Sequence, residues 1–213
     1  MIWQRCRGAE QIGSVHGILY RLVESQEQVA TRHYVDNLDE QALLEDLLEV
    51  VKPPHRNDSE GYHYLLKTPF RYPPLRWGSR YGQRHERGIF YGGKSVDTAL
   101  CEAAFYRLVF FESMVAPPPK SSMLTQHTLF GASYATDFGV TYTSARAQDF
   151  RQAICVGLFT PHAFAKRKPL DKNAWLCEVT TDSVQFKALG EREVIRFPRA
   201  AFCVDNTLPL PAR

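Results

Sequence analysis

The stretch RYGQRHERGIFYGGKSVDTALCE, residues 80–102, decides how this chain is read. It opens as a basic loop punctuated by glycine. Gly88-Ile89-Phe90-Tyr91 then reads as a short strand, Gly92-Gly93 as a turn, and a helix starts near Ser95. That helix holds one carboxylate, Glu102, inside an apolar run. An unpaired charge in apolar surroundings is costly, so such a carboxylate requires a partner or a task. Tyr91 and Arg80, eleven and twenty-two residues earlier, are the groups expected beside it.

Residues 95–112, SVDTALCEAAFYRLVFFE, carry apolar side chains on nearly every face, which predicts a buried helix. Ser95 and Asp97 suit its first turn. Glu102 and Arg107 are five apart, so they make no standard i,i+4 pair, and Glu102 is expected to look elsewhere, toward a cleft. Upstream, residues 76–88 interleave Arg76, Arg80, Arg84 and Arg87 with Gly78, Gly82 and Gly88. Such a loop suits a backbone that closes around phosphate oxygens. Composition alone fits a solvated surface loop at least as well.

Residues 38–52, LDEQALLEDLLEVVK, predict an amphipathic helix. Asn37 or Asp36 caps it, Leu43, Leu44, Leu47, Leu48 and Val51 form its apolar stripe, and Pro53-Pro54 end it. A core face explains the stripe, and so does a homo-oligomer interface. Leu65-Leu66 and Phe70-Arg71-Tyr72 read as extended, punctuated by Pro69, Pro73 and Pro74. After the proline run at 117–119 the chain is β-rich, with strands expected at 123–130, 140–143, 153–159, 175–180, 184–189 and 194–197 and a hairpin turn at Gly190-Glu191. The expectation is one α+β domain in which a helical extension, residues 1–60, packs on a core of residues 61–213.

With 213 residues, 44% of them hydrophobic and 23% charged, the chain suffices for one globular core. A net charge of +3 is compatible with an anionic substrate but does not demand nucleic acid. Five scattered cysteines without CxxC spacing argue against a zinc site or a disulfide framework. The seven histidines show neither HExxH nor HxH spacing, so no metal is expected. No apolar run approaches membrane-spanning length, and a reduced, cytoplasmic protein is expected. Walker-type, GxGxxG and GxSxG motifs are missing.

Arginine, tyrosine and one carboxylate remain. Together they suit a dinucleotide with a cleavable, cationic glycosidic bond. Arginines grip the pyrophosphate, an aromatic ring orients nicotinamide or its ribose, and a carboxylate stabilises an oxocarbenium-like sugar. Residue types and spacing alone leave a structural ion pair for Glu102 as the commoner alternative. A non-catalytic nucleotide- or RNA-binding protein is a further reading, since arginines cluster with Tyr72, Trp77 and Tyr81.

Four pieces of the chain sharpen this: PFRYPPLRWGSRYG, GIFYGG, TALCEAAFYR and TYTSAR, in that order. The chain resembles the RES-domain family, named for an arginine, a glutamate and a serine, whose members include toxins of toxin–antitoxin pairs that act on NAD. The resemblance implies a fold like that of ADP-ribosyltransferase toxins, with a split central β-sheet, and cleavage of the nicotinamide–ribose bond of NAD. Water, phosphate or a protein side chain would be the acceptor, and a helix-turn-helix (Xre-type) antitoxin the partner. Carried over by position, Arg80 is similar to the arginine of the family's Gly-x-Arg element, Tyr91 to its active-site tyrosine, Glu102 to its glutamate and Ser144 to its serine. Arg71 is preferred for the family's earlier arginine, with Arg21 as rival. Ser144 follows Glu102 by 42 residues, shorter than the family pattern, which implies a reduced helix there or a degenerate member without turnover.

Overall fold

The computed structural model describes residues 7–25, 34–72, 78–116, 121–147 and 153–210. Seven strands and three α-helices form a mixed α+β architecture among these residues. The strands are β1 (Ile12–Glu24), β2 (Phe90–Gly93), β3 (Ser122–Thr143), β4 (Ile154–Leu158), β5 (Asp171–Thr180), β6 (Ser183–Ala188) and β7 (Ile195–Pro198). The helices are α1 (Leu38–Val50), α2 (Tyr64–Arg71) and α3 (Val96–Glu112).

Strand β3 organises the sheet. Its first part pairs with β5, from Ser122↔Thr180 to Gly131↔Asp171, and its last part pairs with β4, from Gly139↔Leu158 to Thr143↔Ile154. Strand β1 runs antiparallel along the middle of β3 and also touches β2 through Tyr20↔Gly93. Strands β1, β2, β4 and β3 therefore return on themselves, while β5, β6 and β7 extend from the first half of β3. Every pairing is antiparallel.

Two apolar clusters fill the two halves. Helix α3 lays Leu100, Ala104, Phe105, Leu108 and Phe111 against Cys177, Val179, Val184 and Phe186 of the sheet. Helix α2 lays Leu65, Leu66 and Phe70 against Leu19, Phe90, Phe130, Val156 and Leu158. Each fully buried large side chain contributes about 1.5–3 kcal/mol, so these two faces hold the fold together. Ser95 caps α3 by accepting a hydrogen bond from the Thr98 backbone N–H at 3.1 Å, as its sequence position predicts.

The structure corrects several readings. Residues 131–139 do not interrupt the chain between two strands. Gly131 and Asp137 look turn-forming, yet β3 runs through them because β1 supplies partners from His127 to Thr136 and again at Gly139 and Val140, with a bulge at Asp137-Phe138. Gly92-Gly93 is not a turn but the end of β2, paired with Val156 and Cys155. A side chain at Gly92 would meet Leu19 at 2.7 Å, so glycine permits the close approach to β1.

Residues 64–71 are helical and not extended. His63 Nδ1 accepts from the Leu65 N–H at 3.2 Å, and Thr68 Oγ1 donates to the Tyr64 carbonyl at 2.7 Å. Pro69 falls late enough in α2 to remove only one helical bond. Within residues 1–60, the apolar patch Ile18–Val23, readable from the sequence as a strand or as the start of a helix, lies in the strand Ile12–Glu24. Helix α1 forms as expected, with Asn37 as its cap at 2.9 Å, but Leu43 and Leu47 of its stripe are 60% and 57% exposed.

His127 on β3 is buried, with Nε2 2.9 Å from Thr125 Oγ1. Burial first, then Arg107, holds its pKa at about 4, below the ordinary 6.5. The unfolded chain therefore binds the extra proton between pH 6.5 and 4, and stability falls as pH drops through that window, by about 3 kcal/mol in all. Chemical denaturation at a series of pH values is expected to show this loss in the wild type and a flatter profile in His127→Gln. Equal slopes in both proteins would refute the assignment.

Candidate active site

A cleft of about 1200 Å³ opens where the two halves of the sheet meet. Arg21, Arg80, Tyr91, Glu102, Tyr142 and Arg146 face it. Each arrives from a different element: β1, the loop before β2, β2 itself, α3, the end of β3 and the turn after it.

Glu102 sits nearly two turns into α3, where the helix is otherwise packed on apolar groups. Its carboxylate is held from two sides. Arg146 Nη1 donates to Oε2 at 2.5 Å, and the Ser144 hydroxyl donates to Oε1 at 2.6 Å. Ser144 Oγ in turn accepts from the backbone N–H groups of Arg146 and Ala147, both at 3.2 Å. With those lone pairs occupied, the hydroxyl proton is directed to Glu102. The Cys155 thiol approaches Oε1 at 3.8 Å. Burial and then the Glu102 charge push that thiol up to about 12, so Cys155 stays protonated and is no nucleophile.

Tyr91 anchors the basic loop. Its hydroxyl lies 3.0 Å from Ser79 Oγ and accepts from the Tyr81 backbone N–H at 3.2 Å, while the Gly82 N–H donates to Ser79 Oγ at 3.1 Å. Burial raises the Tyr91 pKa above its ordinary value, against the bonds from Ser79 and Tyr81, so the ring stays neutral. Tyr81, Tyr91 and Tyr142 form a three-ring cluster with centroids 5.1 to 6.4 Å apart. The Arg80 guanidinium lies over the Tyr142 ring at 4.8 Å. At Gly88, where the same loop crosses the end of α2, a side chain would fall 2.0 Å from the Pro69 carbonyl oxygen, so only glycine fits the close approach.

Of the two candidates for an early arginine, Arg21 is the one in the cleft. Its Nη1 donates to the Tyr91 carbonyl at 3.3 Å, and its guanidinium lies 4.9 Å from the Phe90 ring centroid. No carboxylate pairs with it among the described residues, and burial lowers its pKa to about 10 although Tyr142 and Tyr106 oppose the shift. A cation so placed favours an anion from solution. Arg71 is directed elsewhere. It pairs with Glu49 at 2.6 Å and donates to the Pro53 carbonyl at 2.5 Å, tying the end of α1 to α2. Arg71 does not face the cleft.

The sequence-expected Arg80, Tyr91, Glu102 and Ser144 thus converge, with two differences. Glu102 pairs with Arg146 and not with Arg80. Ser144 is 1% exposed and lies behind Glu102, so its hydroxyl serves the carboxylate and not the open cleft. Tyr142, Arg146 and Cys155 were not singled out from the sequence. Tyr142 is two residues before Ser144, the period that places strand residues on one face. Arg146 is two residues after it. Cys155 is legible only once β3 and β4 are in register, Tyr142↔Cys155. Among the described residues no group of three or more His, Cys, Asp or Glu is arranged to hold a metal. No described helix is long and apolar enough to cross a membrane.

No curated protein matches the chain. Residues 53–138 match the family model for the RES domain. That span contains Arg80, Tyr91 and Glu102, while Arg21, Ser144 and Arg146 lie outside it. Over residues 53–138 the chain is thus similar to the RES domain family.

Proposed function

We propose that the protein consumes NAD by breaking the bond between nicotinamide and ribose. The observation that carries this reading is a carboxylate, two arginines and an anchored tyrosine facing one cleft: Glu102, Arg21, Arg80 and Tyr91. Arg21 and Arg80 would bind the two phosphates, and Tyr91 would orient the nicotinamide ribose. Arg21 takes the part that Arg71 was expected to play.

As the C1′–N bond lengthens, its electron pair passes to the nicotinamide nitrogen, which leaves neutral. The ribose is left as an oxocarbenium-like cation. Glu102 would stabilise that charge, held in place by the Ser144 hydroxyl. An acceptor oxygen from water, phosphate or a protein side chain then bonds to C1′, and its proton is released. Within this reading the chain is the toxin of a toxin–antitoxin pair, and its partner is an antitoxin of helix-turn-helix type.

Incubation with NAD, following nicotinamide by chromatography, tests the reading. Wild type is expected to release nicotinamide, and Glu102→Gln to do so about 10²–10³-fold more slowly, the range seen when one charge-stabilising group is removed. Parallel runs with and without phosphate, and with cell extract, identify the acceptor. Equal rates in the two proteins would remove the role given to Glu102. No release from wild type under all three conditions would overturn the enzyme reading.

A further inference from the structure

The Arg146 guanidinium does more than pair with Glu102. Its carbon lies 4.2 Å from the Phe105 ring centroid and 4.5 Å from that of Tyr106. Phe105 is buried and Tyr106 is half-exposed, so one wall of this space is fixed and the other borders solvent. Glu102, Phe105 and Tyr106 come from a single turn of α3, so their spacing is set by the helix and not by Arg146. One carboxylate and two aromatic faces around a flat, delocalised cation are the components of a cage for an organic cation. Arg146 follows β3, outside any regular element, and its side chain is 16% exposed. The cage belongs to the rigid helix, and its present occupant comes from a turn.

A pyridinium ring is also a flat, delocalised cation. Both oxygens of Glu102 are engaged, Oε1 by Ser144 and Oε2 by Arg146. The guanidinium also fills the space between the carboxylate and the two rings, so a second planar cation enters it only where the first withdraws. We propose that Glu102, Phe105 and Tyr106 form a binding site for a planar organic cation, that Arg146 fills it in the free protein, and that a pyridinium ring enters by displacing Arg146. The chemistry of the site is independent of turnover. Only the identity of its natural ligand, the nicotinamide ring of NAD, rests on the function proposed above.

In this arrangement Arg146 sets a threshold for ligand entry. A neutral ring gains nothing from the carboxylate and has no means of competing with the guanidinium. A cationic ring replaces one charge by another at the same oxygen, so Glu102 is never left unpaired.

Calorimetric titration with 1-methylnicotinamide, a cation, and nicotinamide, its neutral counterpart, provides the test. Arg146→Met keeps an apolar stem over Phe105 and removes the charge. It is expected to bind 1-methylnicotinamide about ten-fold more tightly than wild type, a difference of about 1.4 kcal/mol, with nicotinamide unchanged. Arg146→Gln, which keeps a hydrogen-bonding group near Glu102, is expected to show the same cation-selective gain. Adding Glu102→Gln to Arg146→Met is expected to abolish it. The cation should also raise the melting temperature of Arg146→Met more than that of wild type.

Equal or weaker cation binding by both Arg146 variants, or an equal gain for nicotinamide, would overturn the proposal. The two readings fail separately. Nicotinamide release from NAD by wild type without a gain in the Arg146 variants removes the cage and leaves the enzyme. A gain in those variants without release by wild type removes the enzyme and leaves the cage.

Discussion

The structure depends on one charge placed where a charge is costly. Glu102 lies on a helix whose neighbouring positions, Leu100, Cys101, Ala104 and Phe105, are all buried. Leaving a carboxylate unpaired there would cost several kcal/mol. The cost is offset by two groups from the end of β3, the Ser144 hydroxyl and the Arg146 guanidinium. That requirement fixes where β3 ends against α3. The Ser144 N–H, bonded to the Ala153 carbonyl at 2.7 Å, carries the alignment on to β4. The catalytic candidate and the joint between the two halves of the sheet are thus one interaction.

Around that joint the cations are not equivalent. Arg107 is tied to Glu24 and Thr125, and Arg71 to Glu49 and Pro53. Both hold elements together. Burial of the Arg146 guanidinium works against its charge, but Glu102 and Tyr106 more than offset this, so its pKa rises. Arg21 differs in donating to a carbonyl and lying over an aromatic face with no carboxylate partner among the described residues, and burial lowers its pKa. Arg80 has the face of Tyr142. These two arginines border open cleft without a carboxylate partner among the described residues, which is the condition under which a guanidinium binds a phosphate from solution.

Much of this was legible in the sequence, for local reasons. The cap at Ser95, the apolar run through α3 and the lone Glu102 need only neighbours within one helix to be read. The strands from β4 to β7 also follow from short apolar runs between polar turns. What failed depended on partners distant along the chain. The continuity of β3 past Asp137 requires β1, whose residues are more than a hundred positions earlier. The helix at Tyr64–Arg71 requires the apolar face of β1 to β4 on which its leucines pack. The choice between Arg21 and Arg71 was decided by Glu49 and Pro53, which claim Arg71, and no motif announces that claim.

The central claim is that Arg21, and not Arg71, supplies the early cation of a cleft whose carboxylate is Glu102. Equilibrium binding of NAD to Glu102→Gln, which keeps the ligand intact during measurement, tests it most directly. Adding Arg21→Gln is predicted to weaken binding about 10- to 100-fold, as expected for loss of a charge-assisted contact to phosphate. Adding Arg71→Gln is predicted to leave the affinity unchanged. Weakening by Arg71→Gln with no effect of Arg21→Gln would contradict the account.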